Sequence, residues 1–311
     1  MMNRKYALLA VGELLADFIG TEYTQSIYTT EQYKRFQGGS PSNLAANMAR
    51  LGGKTAIVSC VGNDNLGKFL IEKVAETGVD TAYVATDYEN PTSIVVVSRS
   101  KGTPDFIAYR EADRMIQSAH ISDELLSQSA IYHTTCFALS KSPAQESIVE
   151  AAGRASKLGC QLSIDLNYAS QIWPDRSNAH AVVRAYVSNG AFVKMSEDDA
   201  ERFYGTPVEA EKALADFHAW GAKLICFTLG AKGSIISTDG GKERIFVAGR
   251  KIEVVDTTGA GDSYWSGFLT AFLDGHSPEI CAKAGANIAA LKITTLGPLP
   301  PMVDKAILYQ E

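Results

Sequence analysis

Eight residues near the end of the chain, Asp256-Thr257-Thr258-Gly259-Ala260-Gly261-Asp262-Ser263, combine small backbone positions with two carboxylates. Positions without bulk at 259–261 let backbone N–H groups approach an anion closely. If the turn also opens a helix, the positive end of the helix dipole favours that anion. Such a turn is a seat for a phosphate. Asp262, in the first helical turn, would stand beside the seated phosphoryl group, placed to accept the proton of an attacking hydroxyl. The same residues allow a plainer reading, in which the glycines make a tight turn and Asp262 caps the helix. A glycine-rich turn alone does not choose between the two.

A second glycine-bearing segment competes for the phosphate. Gly62-Asn63-Asp64-Asn65-Leu66-Gly67-Lys68-Phe69 follows a strand-like run and fits a P-loop except at its last position, where Phe69 replaces the hydroxyl that would hold magnesium. A structural strand-to-helix turn is the better reading. No G-x-G-x-x-G follows the first apolar run, where Gly12 leads into Glu13, so a dinucleotide-dependent dehydrogenase is disfavoured. The five histidines, His120, His133, His180, His218 and His276, show no metal-ligand spacing. Trp173 and Trp220 read as packing residues or a pocket rim.

The scaffold that must carry these segments is legible in the periodicity. Short apolar runs at 6–11, 55–61, 131–133, 161–165, 191–194, 223–228 and 234–237 alternate with amphipathic stretches at 42–51, 67–77, 143–158, 177–188, 208–220, 260–273 and 279–293. This alternation predicts an α/β fold with a doubly wound, mainly parallel sheet flanked by helices. The run 251–255 reads as a further strand leading into the phosphate seat. Residues 18–37 and 92–110 are β-rich without an intervening helix. They are expected to form a small antiparallel flap from two insertions, over one end of the main sheet. Without internal repeats, low-complexity segments or long linkers, residues 1–311 read as one domain carrying that flap.

Composition limits the partners. With 46% hydrophobic and 21% charged residues, the chain has the make-up of a globular protein with a large core. A formal net charge of −6 leaves no global basic surface, which argues against nucleic acid as a partner. Five scattered cysteines without a CxxC pair suggest buried, reduced thiols and a cytoplasmic location. Arg4 and Lys5 before the run 6–11 read as the start of a buried strand rather than a signal peptide, and no apolar stretch reaches the ~20 residues of a membrane span.

The string 256–263 resembles the second signature of the PfkB (ribokinase-like) carbohydrate kinases, D-T-x-G-A-G-D. Gly38-Gly39-Ser40-Pro41-Ser42-Asn43-Leu44-Ala45 through Leu51-Gly52 resembles the first, and Gly12-Glu13-Leu14-Leu15-Ala16-Asp17 is similar to the family's first strand and sugar-binding aspartate. The resemblance extends over essentially the whole chain. It implies ATP-dependent phosphorylation of a sugar hydroxyl, with Asp262 as base and Gly259, Ala260 and Gly261 lending their amides. Asp17, Gly39 and Asn43 would bind sugar hydroxyls.

Thr228-Leu229-Gly230-Ala231-Lys232-Gly233 resembles the family segment beside the ATP phosphates, and 284–290 its adenine-side helix, so the resemblance assigns Thr228, Gly230, Gly233 and Asn287 to the nucleotide. Tyr109-Arg110-Glu111-Ala112-Asp113 resembles a flap segment of fructokinase-like members, in which Arg110 would reach the sugar. Asp165-Leu166-Asn167-Tyr168-Ala169 resembles a D-x-N-x-R element, with Asn167 toward the substrate and Ala169 where the arginine belongs. Residues 194–199 take the place of an N-x-x-E element, with Ser196 and Asp199 substituting; Asp199 would order a magnesium-bound water. Mg2+ is expected with the nucleotide, and K+ near Asp256 and Thr258 as in some relatives.

Fructokinase is the leading assignment, followed by 2-keto-3-deoxygluconate kinase and by ribokinase or nucleoside kinase. A sugar- or nucleotide-binding regulator with a degenerate site is the non-enzyme alternative. The flap would close over the sugar and pair two subunits into a homodimer.

Overall fold

A computed structural model describes residues 4–24, 26–100, 105–173, 175–250, 252–255, 257–295 and 297–310. In chain order the strands are β1 (Tyr6–Val11), β2 (Leu15–Tyr23), β3 (Tyr33–Gly38), β4 (Thr55–Gly62), β5 (Val84–Asp87), β6 (Ile94–Arg99), β7 (Phe106–Tyr109), β8 (Ser129–Thr135), β9 (Gln161–Asp165), β10 (Phe192–Ser196), β11 (Leu224–Thr228), β12 (Gly233–Thr238) and β13 (Glu243–Ala248). The helices are α1 (Ser40–Arg50), α2 (Asn65–Ala75), α3 (Asp123–Ser127), α4 (Ala144–Lys157), α5 (Arg176–Val187), α6 (Glu197–Tyr204), α7 (Ala210–Ala219), α8 (Ala260–Leu273) and α9 (Pro278–Ile293).

The unbroken apolar runs have no polar face to show water, so they pair in the interior. They form a nine-stranded sheet in the order β13-β12-β11-β10-β9-β8-β1-β4-β5, parallel except where β12 and β13 turn back along β11. Parallel strands buried on both faces need helices on both faces. On one side Leu9, Val58, Tyr132 and Ile164 pack with Ala151, Val183 and Leu214 of α4, α5 and α7. On the other, Leu8 and Ile57 pack with Leu44, Phe268 and Ile288 of α1, α8 and α9. Each fully buried Leu or Phe contributes about 1.5–3 kcal/mol relative to an exposed one, which fixes the helices that carry the site.

The flap is a four-stranded sheet in the order β3-β2-β6-β7. It departs from the expected antiparallel arrangement: β2 pairs antiparallel with β3, but parallel with β6. The two insertions leave the main sheet in the same direction, so the neighbouring strands from different insertions run alike.

Other differences have local causes. Lys251 lies outside the described residues, and 252–255 join no ladder; Val255 N–H instead donates to the Ile293 carbonyl at 2.8 Å. Elements β5, β13 and α6 were not anticipated, because they are short or rich in charge. The start of α6 is fixed by a capping box between Ser196 and Asp199. The P-loop-like turn is structural: the Asp64 carboxylate accepts bonds from Gly67 N, Thr92 N and Thr92 Oγ1, each at 2.8 Å, joining α2 to the root of the flap. All five cysteines are buried and free, and among the described residues no helix is long and apolar enough to cross a membrane.

Candidate active site

Helices α1 and α8 both point their first turns at the carboxyl ends of β1, β9 and β10. Helix α8 begins after Gly259, whose φ of 73° lies in the left-handed region and whose lack of a side chain leaves the helix start uncapped. Ala260 N–H already donates to the Thr257 carbonyl at 3.1 Å, so it is not offered to a ligand. Gly261 and Asp262 lie in the first turn, where helix geometry supplies no acceptor for their N–H groups. Of the expected cradle of Gly259, Ala260, Gly261 and Asp262, the Ala260 amide is thus already committed within the chain.

Beneath it lies a cation that sequence reasoning did not assign. A Cβ built on Gly261 would stand 2.7 Å from Lys194 Nζ, so the glycine is required for the close approach. Lys194 is 5% exposed and donates to both oxygens of Asp165, at 3.1 and 2.9 Å. Burial alone would lower its pKa, but the charges of Asp165 and Asp199 outweigh burial and hold the ammonium charged.

Asp262 stands at the mouth of the cradle. Its Oδ1 accepts from Ser40 Oγ at 2.6 Å and its Oδ2 from Asn43 Nδ2 at 3.0 Å, both donors coming from the first turn of α1. Burial raises its pKa above the ordinary carboxylate range, opposed by those two bonds. Asp17, on β2, is pushed up to about 7 by burial and by the charge of Asp262. Burial raises the proton affinity of both carboxylates, and the charge of Asp262 adds to the rise at Asp17.

The chain reaches Asn43 through a narrow pass. A Cβ on Gly38 would lie 2.2 Å from Asp17 Oδ2, and one on Gly39, at φ 103°, would lie 2.2 Å from the Glu13 carbonyl oxygen. Asp17, Gly39, Asn43, Gly261 and Asp262 are therefore brought together. The Asn43 amide is engaged by Asp262 and by Gln37 Nε2 (3.2 Å), which makes it a support of the Asp262 carboxylate. Asn167 sits nearby at the end of β9, its Oδ1 accepting from Phe137 N–H at 3.2 Å.

Three expected contacts are differently committed. Arg110 is 2% exposed; its Nε donates to Asp113 Oδ2 at 2.7 Å and its Nη1 to the Phe137 carbonyl and Ser140 Oγ, both at 2.6 Å. The buried Asp113 charge holds the guanidinium in place. Asn287 donates through Nδ2 to the carbonyls of Ile307, Leu308 and Gln310 at 3.0, 3.1 and 2.9 Å, so its amide nitrogen fastens the C-terminal turn. Asp199 is 6% exposed, bonded to Ser196 N–H and Oγ at 3.0 and 2.6 Å and to Arg202 at 2.6 Å. These donors occupy the carboxylate that was expected to order a magnesium-bound water.

Thr228 ends β11 beside Ser196, and Gly230 and Gly233 shape the turn that follows, where a Cβ on Gly233 would meet the Val247 carbonyl oxygen at 2.0 Å. Asp256, the expected monovalent-cation ligand, lies outside the described residues. Among the described residues no group of three or more His, Cys, Asp or Glu side chains is placed to hold a metal ion.

Lys292, on α9, is also near the cradle: it is 6% exposed, and its Cε lies 3.8 Å from where a Gly259 Cβ would stand. Lys194, Lys292, Ser40 and Glu13 are the residues that sequence reasoning passed over. For Lys194 and Glu13 the available signal was a charged side chain within or just after an apolar run; Ser40 carried no such signal.

Residues 6–305 match the pfkB family carbohydrate kinase pattern. The chain belongs to that family. This PfkB kinase is 36% identical to an ATP-dependent 6-phosphofructokinase of Thermoanaerobacterium thermosaccharolyticum, over 97% of this chain and 92% of the relative. It superposes on the Halothermothrix orenii fructokinase with a TM-score of 0.79 at 34% identity, covering 90% of this chain and 97% of the other. A fructokinase double mutant of Vibrio cholerae, solved with fructose, ADP and potassium ion bound, gives a TM-score of 0.85 at 26% identity over 99% of both chains. The kinase has the ribokinase-like α/β fold and is an ATP-dependent sugar kinase of fructokinase-like type.

Proposed function

We propose that this PfkB kinase transfers the γ-phosphoryl group of ATP to a hydroxyl of free fructose. The observation that carries the reading is Asp262, held by Ser40 and Asn43 at the mouth of an uncapped helix, with Asp17 across the cleft. Asp262 accepts the hydroxyl proton as the sugar oxygen bonds to phosphorus and the bond to the ADP oxygen breaks. The Gly261 and Asp262 amides and the Lys194 ammonium stabilise the charge that develops. Magnesium enters with the nucleotide and neutralises phosphate charge; Asp199, committed to Ser196 and Arg202, offers it no ready site.

The flap, acting as a lid on a single domain spanning 1–311, closes over the sugar and excludes water. Its edge strand β7 exposes Ile107 and Tyr109, which supports pairing of two flaps in a homodimer. Five buried thiols support a cytoplasmic location.

The acceptor is read as neutral because both candidate arginines are missing from the cleft. Ala169 packs against the core where the family arginine belongs, and Arg110 is tied to Asp113. A carboxylate such as that of 2-keto-3-deoxygluconate would face Asp17 and Asp262 without a cation. A second reading, fructose 6-phosphate, is favoured by the phosphofructokinase relative and by a polar cavity of about 430 Å3 lined by Arg110, Arg114, Lys141, Ser140 and Ser142, whose three cations outnumber the one carboxylate, Glu111.

The test is coupled ADP release with fructose, fructose 6-phosphate, 2-keto-3-deoxygluconate, ribose and adenosine. Fructose is expected to give the highest kcat/KM, and a higher value for any of the others replaces the assignment. Asp262→Asn should keep both ligands bound yet lower kcat by about 10³-fold or more. Ligand-induced stabilisation without ADP release from any sugar would instead make the chain a binding protein.

A further inference from the structure

The proposed base is oriented by α1, and α1 is itself positioned by a carboxylate outside the expected sugar and nucleotide contacts. Glu13 follows β1 directly and is 2% exposed. Its Oε1 accepts from Ser40 N–H at 3.2 Å and its Oε2 from Thr135 Oγ1 at 2.8 Å, while Thr135 Oγ1 also accepts from Ala138 N–H at 3.0 Å.

Helix α1 has Gly39 at its N-cap and no side-chain cap of its own. A carboxylate reaching across from β1 takes over that role, and it does so at Ser40, the residue whose hydroxyl bonds to Asp262 at 2.6 Å. The Glu13 carbonyl also sits against Gly39, where a Cβ would come to 2.2 Å. Backbone and side chain of one residue therefore locate the first turn of α1 on the main sheet.

No lysine, arginine or histidine among the described residues forms an ion pair with Glu13. Burial pushes its pKa up to about 8, with Arg110 opposing and Asp113 adding to the rise. Arg110 and Asp113 are paired with each other, so they act on Glu13 only through space. A charge-bearing side chain kept in such a place is costly, and a plain helix cap does not require one, since Ser or Asn at position 39 is the common solution. Gly39 cannot carry a cap here, because the chain must pass the Glu13 carbonyl, so the cap comes from the link between β1 and β2.

We propose that Glu13 is a positioning residue for phosphoryl transfer: by fixing Ser40, it sets the direction and proton affinity of the Asp262 carboxylate. This rests on Asp262 being the base.

A double-mutant cycle tests it, using the full-length chain, ATP and whichever sugar the panel selects. Glu13→Ala and Ser40→Ala should each lower kcat by about tenfold, the loss of one well-placed hydrogen bond to a charged group. The double variant should be no worse than the poorer single variant. In both single variants the acid limb of the kcat profile should move to higher pH, because Asp262 loses a donor that favours its ionised form. Glu13→Gln keeps an acceptor for Ser40 N–H, so it should retain near-normal kcat even if Glu13→Ala folds poorly.

Losses that multiply in the double variant overturn the proposal. So does a Glu13→Ala enzyme with lowered Tm but unchanged kcat and pH profile, or a Glu13→Gln variant as impaired as Glu13→Ala. Near-normal turnover by Asp262→Asn would remove the base itself and is read separately.

Discussion

Removing the Lys194 ammonium tests whether the cradle depends on the cation beneath it. Its Nζ lies 2.7 Å from the Cβ site of Gly261, which puts a phosphate oxygen seated on the Gly261 amide about 5 Å away. At an effective dielectric of about 20, unit charges at that distance attract by about 3 kcal/mol. Asp165, some 3 Å further back, opposes this by about 2 kcal/mol, so the intact pair favours the phosphate by about 1 kcal/mol.

Lys194→Met alone should therefore cost about 100-fold in kcat/KM for ATP, and about 3–5 kcal/mol of stability by stranding Asp165. Lys194→Met with Asp165→Asn removes the stranded charge. That double variant should regain most of its thermal stability, yet keep a roughly fivefold deficit in kcat/KM. The assays are coupled ADP release and thermal denaturation followed by circular dichroism. A double variant with wild-type efficiency would show that the pair serves only the core.

Three further outcomes are expected. Asp17 has a folded-state pKa of about 7 against an ordinary 3.8, so the folded protein holds more protons than the unfolded chain between those values; stability should fall as pH rises through that window, and Asp17→Asn should flatten Tm against pH. Gly39→Ala forces a Cβ to 2.2 Å from the Glu13 carbonyl oxygen at φ 103° and should destabilise the fold by about 2–4 kcal/mol, read as a drop in Tm and in soluble yield. Arg110→Met strands the buried Asp113 and should cost about 3–5 kcal/mol while leaving the sugar KM within about threefold; a large rise in KM with unchanged Tm would return Arg110 to the substrate.

What the sequence revealed follows from which information is local. The runs at 6–11 and 161–165 and the helix at 260–273 match the observed bounds, because apolar periodicity and the turn before Ala260 are properties of neighbouring residues. The string ending in Asp262 was legible for the same reason. The Lys194–Asp165 pair was not: 29 residues separate the partners, and only the parallel register of β9 and β10 sets them side by side. The resemblance assigns Arg110, Asn287 and Asp199 to ligands but could not show their protein partners, Asp113, the C-terminal carbonyls and Arg202. A motif names the residue type at a position, but the choice of hydrogen-bond partner is made by the packed neighbours. The flap was recognised from its composition, while strand direction within it depended on how two distant insertions meet.

Two helix starts show how the same local geometry serves opposite ends. At α2 the Asp64 carboxylate fills the amide pocket, so that helix is finished by the chain itself. At α8 the N-cap is Gly259, which has no side chain to offer the first-turn amides. If α8 seats the nucleotide as proposed, the bound phosphate would do for this helix what Asp64 does for α2, and ATP binding should raise the Tm.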